Sequence, residues 1–307
     1  MRRKISNKLA PQYFLHHHRQ RRRSLPLQFT RVARMSRVEL LNAGGFRVDG
    51  RKQYELRSIA IQLGGSQDTS ADGSAQITQG LTIVSATVFG PREARTGANV
   101  IHDRASVNVE VSLAPWGSME RRRRNRGDRR LLEFASSIKS TFEPVIHTHL
   151  YPRSQIDIFV QVHQQDGGVL PAAINASTLA LLDAGIAMQD FVSGVSCGIH
   201  STSAMLDLSN TEEQDLPHVT VAVLPRTKQV TLASLETRLH VERFEQIFTL
   251  AIEAAAVLHN EMEMAVRDRT KTLVQAMTGK TVESTSVVDH DDDGELDGRN
   301  HDDMTLA

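Results

Sequence analysis

The sequence predicts an α+β or α/β domain with helices packed on mixed sheets. Three observations carry the prediction. Short apolar runs alternate with period two, the spacing of strands that bury one face. Runs of this kind lead twice into stretches with helical apolar spacing, so strands followed by helices occur twice along the chain. Turns that contain glycine or proline punctuate the runs.

Taken in order, residues 54–63 place Leu56, Ile59, Ile61 and Leu63 along one run, residues 81–89 are rich in β-branched side chains, and residues 105–113 alternate Val107, Val109 and Val111. These predict three strands, joined by turns at Gly64-Gly65, Asp72-Gly73 and Gly90-Pro91. A helix is predicted to start near Asp128, with Leu131, Phe134, Ala135, Ile138 and Phe142 on one face, and to stop at Pro144.

The next stretch organises the rest. Ile156, Ile158, Val160 and Val162 alternate up to Asp166-Gly167-Gly168, where a strand ends. The glycines permit a tight reversal because no Cβ opposes positive φ. Pro171 suits a first helical turn. Thr178, Leu179, Leu181 and Leu182 leave the following helix almost no polar face, which places it deep in the core. A strand, a glycine turn and a helix N-terminus together favour an anion, through unpaired N–H groups and the helix dipole. Further strands are predicted at 195–200, 204–208, 219–224 and 229–235. A long closing helix follows, carrying Phe244, Ile247, Phe248, Ala251, Ala255, Leu258 and Met262 on one stripe.

The 307 residues suffice for one large domain or two halves with an ample core. Net charge is zero but unevenly spread. Residues 1–34 carry ten Lys/Arg and no acid, and residues 276–307 carry nine Asp/Glu against Lys280 and Arg299. Cys197 is the one cysteine, so no intrachain disulfide is available and a reducing compartment is expected. No apolar run approaches the roughly 18–20 residues that span a bilayer. A soluble intracellular protein with no membrane partner is therefore expected.

A set of motifs in fixed order resembles the RNase PH family, in its eukaryotic exosome-ring branch. The pieces are Phe46-Arg47-Val48-Asp49-Gly50-Arg51 with Glu55-Leu56-Arg57, then Asp72-Gly73-Ser74-Ala75 and Ala86-Thr87-Val88-Phe89-Gly90-Pro91-Arg92-Glu93. Tyr151-Pro152-Arg153, Gln165-Asp166-Gly167-Gly168, the run from Leu179 through Ile186, and Val230-Thr231-Leu232 follow. The resemblance implies an α+β RNase PH fold, like domain 2 of ribosomal protein S5, in two βαβα halves. The domain would span 35–275, with halves at about 45–150 and 151–275. Outside it, residues 1–34 read as a basic disordered extension; the lack of acids also resembles a mitochondrial presequence or a nuclear-import patch. Met35-Ser36-Arg37 would open the matched region cleanly if the start codon were placed too early. Residues 276–307 read as an acidic, solvated tail.

Between Arg121 and Arg130 stand seven arginines, interrupted by Asn125, Gly127 and Asp128. Such a run cannot sit in a core and predicts an exposed loop leading into a helix. Arg92 and Arg95 follow Gly90-Pro91, and Arg104 follows a short loop. One reading is a solvated charged face. The other is a surface that tracks the phosphates of single-stranded RNA, a task that suits the forked guanidinium. In the family these strand ends and this loop face the pore through which RNA passes. The expected RNA-binding set is Arg92, Arg95, Arg104, Arg121, Arg122, Arg123, Arg124 and Arg126. Replacing Arg92 and Arg95 together with Glu is expected to lower RNA affinity at nearly constant melting temperature.

Active members cleave RNA from its 3′ end with inorganic phosphate, which the resemblance places on a Ser-Arg or Thr-Arg pair after the glycine turn. Here the two positions are Val169 and Leu170, which offer neither a side-chain donor nor a cation. Losing one preorganised contact of this kind costs roughly 10²–10³ in rate. The family also needs two acids six residues apart, for proton transfer or metal binding. Glu213 falls at the first position and Val219 at the second; Asp215 is only two residues away, and the segment otherwise reads as a charged surface turn.

Other groups carry less. His147 and His149 alternate on an expected strand without a third ligand nearby. Cys197 lies in an apolar run as a packed side chain. Asp49, Arg51, Glu55 and Arg57 supply both signs of charge and predict a buried network fixing the N-terminal strand. There is no P-loop and no GxSxG element.

The resemblance therefore implies a non-catalytic ring subunit of the RNA exosome that threads single-stranded RNA, from its 3′ end, to an associated hydrolytic nuclease. Its partners would be other RNase PH-like subunits in a hetero-hexameric ring and S1/KH cap subunits. Its place would be the nucleus, nucleolus and cytoplasm, and it would hold no cofactor or metal. An active phosphate-dependent 3′–5′ exoribonuclease is the alternative. A ribosome-associated RNA binder of S5-like fold is a third reading.

Overall fold

In the computed structural model the described residues are 40–42, 44–64, 70–93, 101–118, 121, 128–200 and 203–278. The chain divides into two compact units, 1–40 and 41–307; but for Leu40 the first lies outside the described residues, and the second carries the fold.

Strands β1 (Ile59–Leu63), β2 (Gly73–Gln79), β3 (Thr82–Glu93), β4 (Ser106–Leu113) and β5 (Ser154–Gln164) form one sheet in the order β1-β2-β3-β5-β4. All its pairings are antiparallel except β4 with β5, which run parallel. The parallel pair requires a crossover, and helix α1 (Arg129–Phe142) supplies it. The side chain of Asp128 caps its start by accepting from the Arg130 N–H. Ile138 and Phe142 are buried on the predicted stripe, and the helix ends before Pro144.

Helix α2 (Val169–Asp183) follows β5 and packs on β2 and β3 on one side and on β6 on the other. Thirteen of its 15 residues are buried, as its lack of a polar face predicts. A second sheet, in the order β7-β6-β8-β9, is wholly antiparallel and comprises β6 (Ser193–His200), β7 (Ser203–Leu206), β8 (His218–Leu224) and β9 (Gln229–Leu235). Helix α3 (Asn210–Asp215) links β7 to β8. Helix α4 (Val241–Thr278) packs on β6 and β8 and buries Ile247, Ala251, Ala254, Ala255, Leu258 and Met262. Lying between α2 and α4, β6 is buried over seven of its eight residues.

Four local expectations differ from the structure. β1 begins at Ile59, because the preceding residues run as coil. Gly73 opens a strand instead of closing a turn: β2 reads GSAQITQ, and only Ala75 and Ile77 give it an apolar face. β3 continues through the cis Gly90–Pro91 peptide with a register shift, where a turn was expected. His147 and His149 lie beside and within a 3₁₀ turn (Thr148–Leu150), not on a strand. By pairing, β5 completes the first sheet, so the second sheet begins only after α2. Among the described residues no helix is long and apolar enough to cross a membrane.

Candidate functional site

The turn between β5 and α2 is pinned from both sides. Thr82 Oγ1 accepts from the Asp166 N–H at 3.1 Å and donates to the Gly167 carbonyl at 2.8 Å. Gly167 and Gly168 both have positive φ, 79° and 61°. A Cβ on Gly167 would lie 2.6 Å from Asn210 N and 2.7 Å from Leu208 O, so the segment leading into α3 lies directly against the turn.

Gly168 is the N-cap of α2. Its N–H donates to Glu213 Oε2 at 3.1 Å. A carboxylate from α3 thus sits where the sequence predicts an anion. His218 stands on the other side of Glu213, 3.8 Å from Nε2 to Oε1. Burial pushes the Glu213 carboxyl up, and the His218 charge and the Gly168 N–H pull it partly back. Val169 and Leu170 are 7% and 9% exposed, packed in the core as apolar side chains should be. Pro171 has no N–H to offer.

An arginine does approach this turn, but it is committed elsewhere. Arg57 Nη1 donates to the Asp166 carbonyl at 2.8 Å, while Nε and Nη2 donate to Asp207 Oδ1 at 3.0 and 2.6 Å. The Arg57 N–H donates to Asp207 Oδ2 at 2.8 Å. Desolvation pushes Asp207 up, but its bonds from Arg57 outweigh that and hold the carboxyl below its ordinary range. Arg47 is buried beside them: Nη1 donates to the Asp207 carbonyl at 3.1 Å and stands 3.5 Å from Glu212 Oε2. Burial lowers the Arg47 pKa, with Glu212 opposing that shift. Arg51 Nη1 also donates to the Asp207 carbonyl, at 3.1 Å.

The charge network read from the sequence therefore exists with different acids. Asp49 and Glu55 are exposed; the buried anions are Asp207 and Glu212, which lie some 150 residues further along the chain. The expected surface turn around Glu213 is a short helix. Ser209 and Glu212 form a capping box at its start, which draws Glu212 to 2% exposure. Asp215 is exposed at the end of that helix, and Val219 is buried in β8. Cys197 is buried in β6 and its thiol is pushed well above its ordinary range by desolvation. Among the described residues no group of His, Cys, Asp and Glu is arranged to hold a metal ion.

The arginine surface is divided. Arg104 and Arg121 are exposed. Arg92 is about a third exposed and pairs through Nη2 with Asp157, which is buried on β5 and also accepts from Gln155. Its guanidinium lies 5.5 Å from the centre of the Phe89 ring. Arg92, a member of the expected RNA-binding set, is thus also an anchor whose removal strands a buried carboxylate. Arg95, Arg122, Arg123, Arg124 and Arg126 lie outside the described residues.

Two family models match the chain: the 3′ exoribonuclease family (RNase PH) domain 1 over residues 55–187 and domain 2 over residues 190–254. The chain is 44% identical over 239 residues to exosome complex component RRP41 of Homo sapiens, covering 77% of this chain and 97% of that protein. To exosome complex component ski6 of Schizosaccharomyces pombe it is 38% identical over 244 residues, covering 80% of this chain and all of the relative. The crystal structure of Rrp46 from rice superposes with a TM-score of 0.64 at 25% identity, over 72% of this chain and all of the other. A chain of the Archaeoglobus fulgidus exosome with RNA bound to the active site shares the fold, with a TM-score of 0.61 at 20% identity over 71% of this chain and 93% of that one.

Proposed function

The chain belongs to the RNase PH family of 3′ exoribonucleases, and from that premise we propose that it is a non-catalytic, RNA-guiding ring subunit of an RNA exosome. The relatives that match over nearly their whole length are named exosome components. The single observation that supports the loss of catalysis is the chemistry at the start of α2: Val169 and Leu170 are buried apolar side chains, and Arg57, which reaches the glycine turn, is bound to Asp207. An attacking phosphate would have to be held against the repulsion of the RNA backbone without a cationic clamp. The second acidic position is filled by Val219 inside a strand. General acid help at the leaving oxygen would then rest on Glu213 alone.

In this reading the chain assembles with other RNase PH-like subunits, S1/KH cap subunits and a hydrolytic nuclease, in the nucleus, nucleolus and cytoplasm. RNA passes over Arg104 and Arg121, together with the arginines that follow in sequence up to Arg126. If the path neutralises about five phosphates, the log–log salt slope of RNA binding is roughly −3 to −4. The deciding experiment incubates the chain, alone and with its ring partners, with 3′-tailed RNA and inorganic phosphate. No phosphate-dependent release of nucleoside diphosphates is expected; such release would overturn the reading in favour of an active phosphorolytic exoribonuclease.

A further inference from the structure

We infer that the indole of Trp116 is a stacking platform for an unpaired base of single-stranded RNA, set at the end of the parallel β4/β5 pair. Trp116 is the only tryptophan in the chain, and it is 72% exposed. Tryptophan is highly buried on average, so an indole this open is unusual. Slack in the backbone does not account for it. The Ala114 N–H donates to the Val162 carbonyl at 2.9 Å, the Gly117 N–H to the Ala114 carbonyl at 2.9 Å, and the Gln165 N–H to the Gly117 carbonyl at 2.7 Å. A Cβ on Gly117 would lie 2.9 Å from the His163 carbonyl oxygen, so the turn lies close against the end of β5. The exposed side chain therefore stands on a fixed support, which lowers the ordering cost of binding.

Two features favour a base over the surface of a partner protein. Protein interfaces are apolar at their centre, but the segment that pins the turn, His163-Gln164-Gln165-Asp166, is polar throughout. One flat apolar ring in polar surroundings matches a ligand that is itself a flat ring on a polar chain. The second feature is charge. Arg121 is exposed and lies five residues further on, a length of chain that spans at most about 18 Å. Its guanidinium can hold a phosphate of the same short stretch of RNA whose base lies on the indole. Cations on the phosphates and aromatic faces under the bases are how proteins bind single strands without choosing a sequence, because every base has a π-face.

The inference rests on the RNA-guiding reading and adds a residue to it. With a single tryptophan, indole emission from the full chain reports on this position alone. The chain is titrated with oligouridylate, and separately with an abasic oligoribonucleotide of equal length, while indole emission and binding are both followed. Emission should fall saturably with oligouridylate, in step with binding, and should stay unchanged with the abasic strand. Trp116→Ala and Trp116→Leu should weaken oligouridylate binding by about 5- to 150-fold, and Trp116→Phe should keep most of the affinity. None of the three should change the salt slope, which counts phosphates and not bases. Equal oligouridylate affinity in Trp116→Ala, with an indole that RNA leaves bright, overturns the inference and leaves the RNA-guiding reading standing. A Trp116→Ala chain that keeps its RNA affinity but no longer joins its ring partners marks a subunit contact, and overturns it as well. If the unmutated chain binds neither strand, the RNA-guiding reading falls and this inference falls with it.

Discussion

Arg57 and Asp207, 150 positions apart, are joined by three hydrogen bonds: from the Arg57 N–H to Oδ2, and from its Nε and Nη2 to Oδ1. The link ties the coil before β1 to the turn after β7, directly beside the glycines that open α2. Both side chains are buried, so neither charge can fall back on water. Replacing Arg57 with Met should cost about 3–5 kcal/mol in a urea titration, since Asp207 is left charged and unpaired. The double variant Arg57→Met/Asp207→Asn should lose less than the sum of the singles, because no stranded charge remains. Asn also tolerates the left-handed backbone of Asp207, whose φ is 54°. Strict additivity would mean the pair is not coupled as its geometry requires.

The pH dependence follows from two carboxyls shifted in opposite directions. Asp207 is held below its ordinary range, so its pairing adds stability that is complete above the unfolded pKa of about 3.9 and is lost as pH falls through the lower folded value. Glu213 is raised by burial, so the folded state binds its proton more readily than the unfolded chain does. Its contribution therefore runs the other way, with stability rising as pH falls through the raised folded value toward about 4.3. Melting curves against pH should show the gap between the unmutated chain and Asp207→Asn closing below about pH 4. Relative to Glu213→Gln, the unmutated chain should gain as the medium turns mildly acidic. A parallel pair of curves in either comparison contradicts the assigned shift.

What could be read without coordinates was local. Ile156 to Val162 and the stripe from Leu131 to Phe142 announced their elements because burial repeats at the period of the backbone itself. β2 escaped because Ser74, Gln76 and Thr78 alternate with only two apolar side chains, and its place in the sheet comes from its neighbours β1 and β3. The apolar character of Val169 and Leu170 was legible, and both are buried at the start of α2. The partners of Arg47 and Arg57 were not. Asp207 and Glu212 lie in a segment that looks like a solvated acidic turn, and only tertiary contact draws them inside. Likewise nothing in the local sequence of Arg92 shows that Asp157 waits below it.

That last pair changes what mutation of the arginine surface should do. Asp157 has 3% of its side chain exposed against 31% for Arg92, so reversing the charge of Arg92 places two carboxylates together with one of them buried. Arg92→Glu should lower stability by about 1–3 kcal/mol or more, and any loss of RNA affinity would be mixed with that damage. Arg104→Glu and Arg121→Glu alter exposed side chains. They should weaken binding of single-stranded RNA, reduce the salt slope by about 0.7 each, and leave the unfolding free energy within about 0.5 kcal/mol of the unmutated value. Titrations at two salt concentrations, alongside melting curves, separate the effects. Unchanged affinity in the Arg104/Arg121 pair would place the RNA path on another face.

The packing of α3 against the glycine turn can be isolated by comparing two glycines of similar backbone. Gly167 and Gly185 have φ of 79° and 70°, so alanine at either meets the left-handed penalty of roughly 1–2 kcal/mol. At Gly185 a Cβ meets nothing within 4 Å, whereas at Gly167 it falls 2.6 Å from Asn210 N and from Ser209 C. These are backbone atoms, which cannot rotate aside as a flexible side chain would. Gly167→Ala should therefore exceed Gly185→Ala by a further 1–3 kcal/mol or so, the range for overpacking, in matched urea titrations. The collision also pushes α3 away from α2, so the Gly168 amide should lose the protection from hydrogen exchange that Glu213 gives it. Equal costs for the two substitutions would show that the 208–210 backbone yields freely, and that α3 does not fix Glu213 on the helix start.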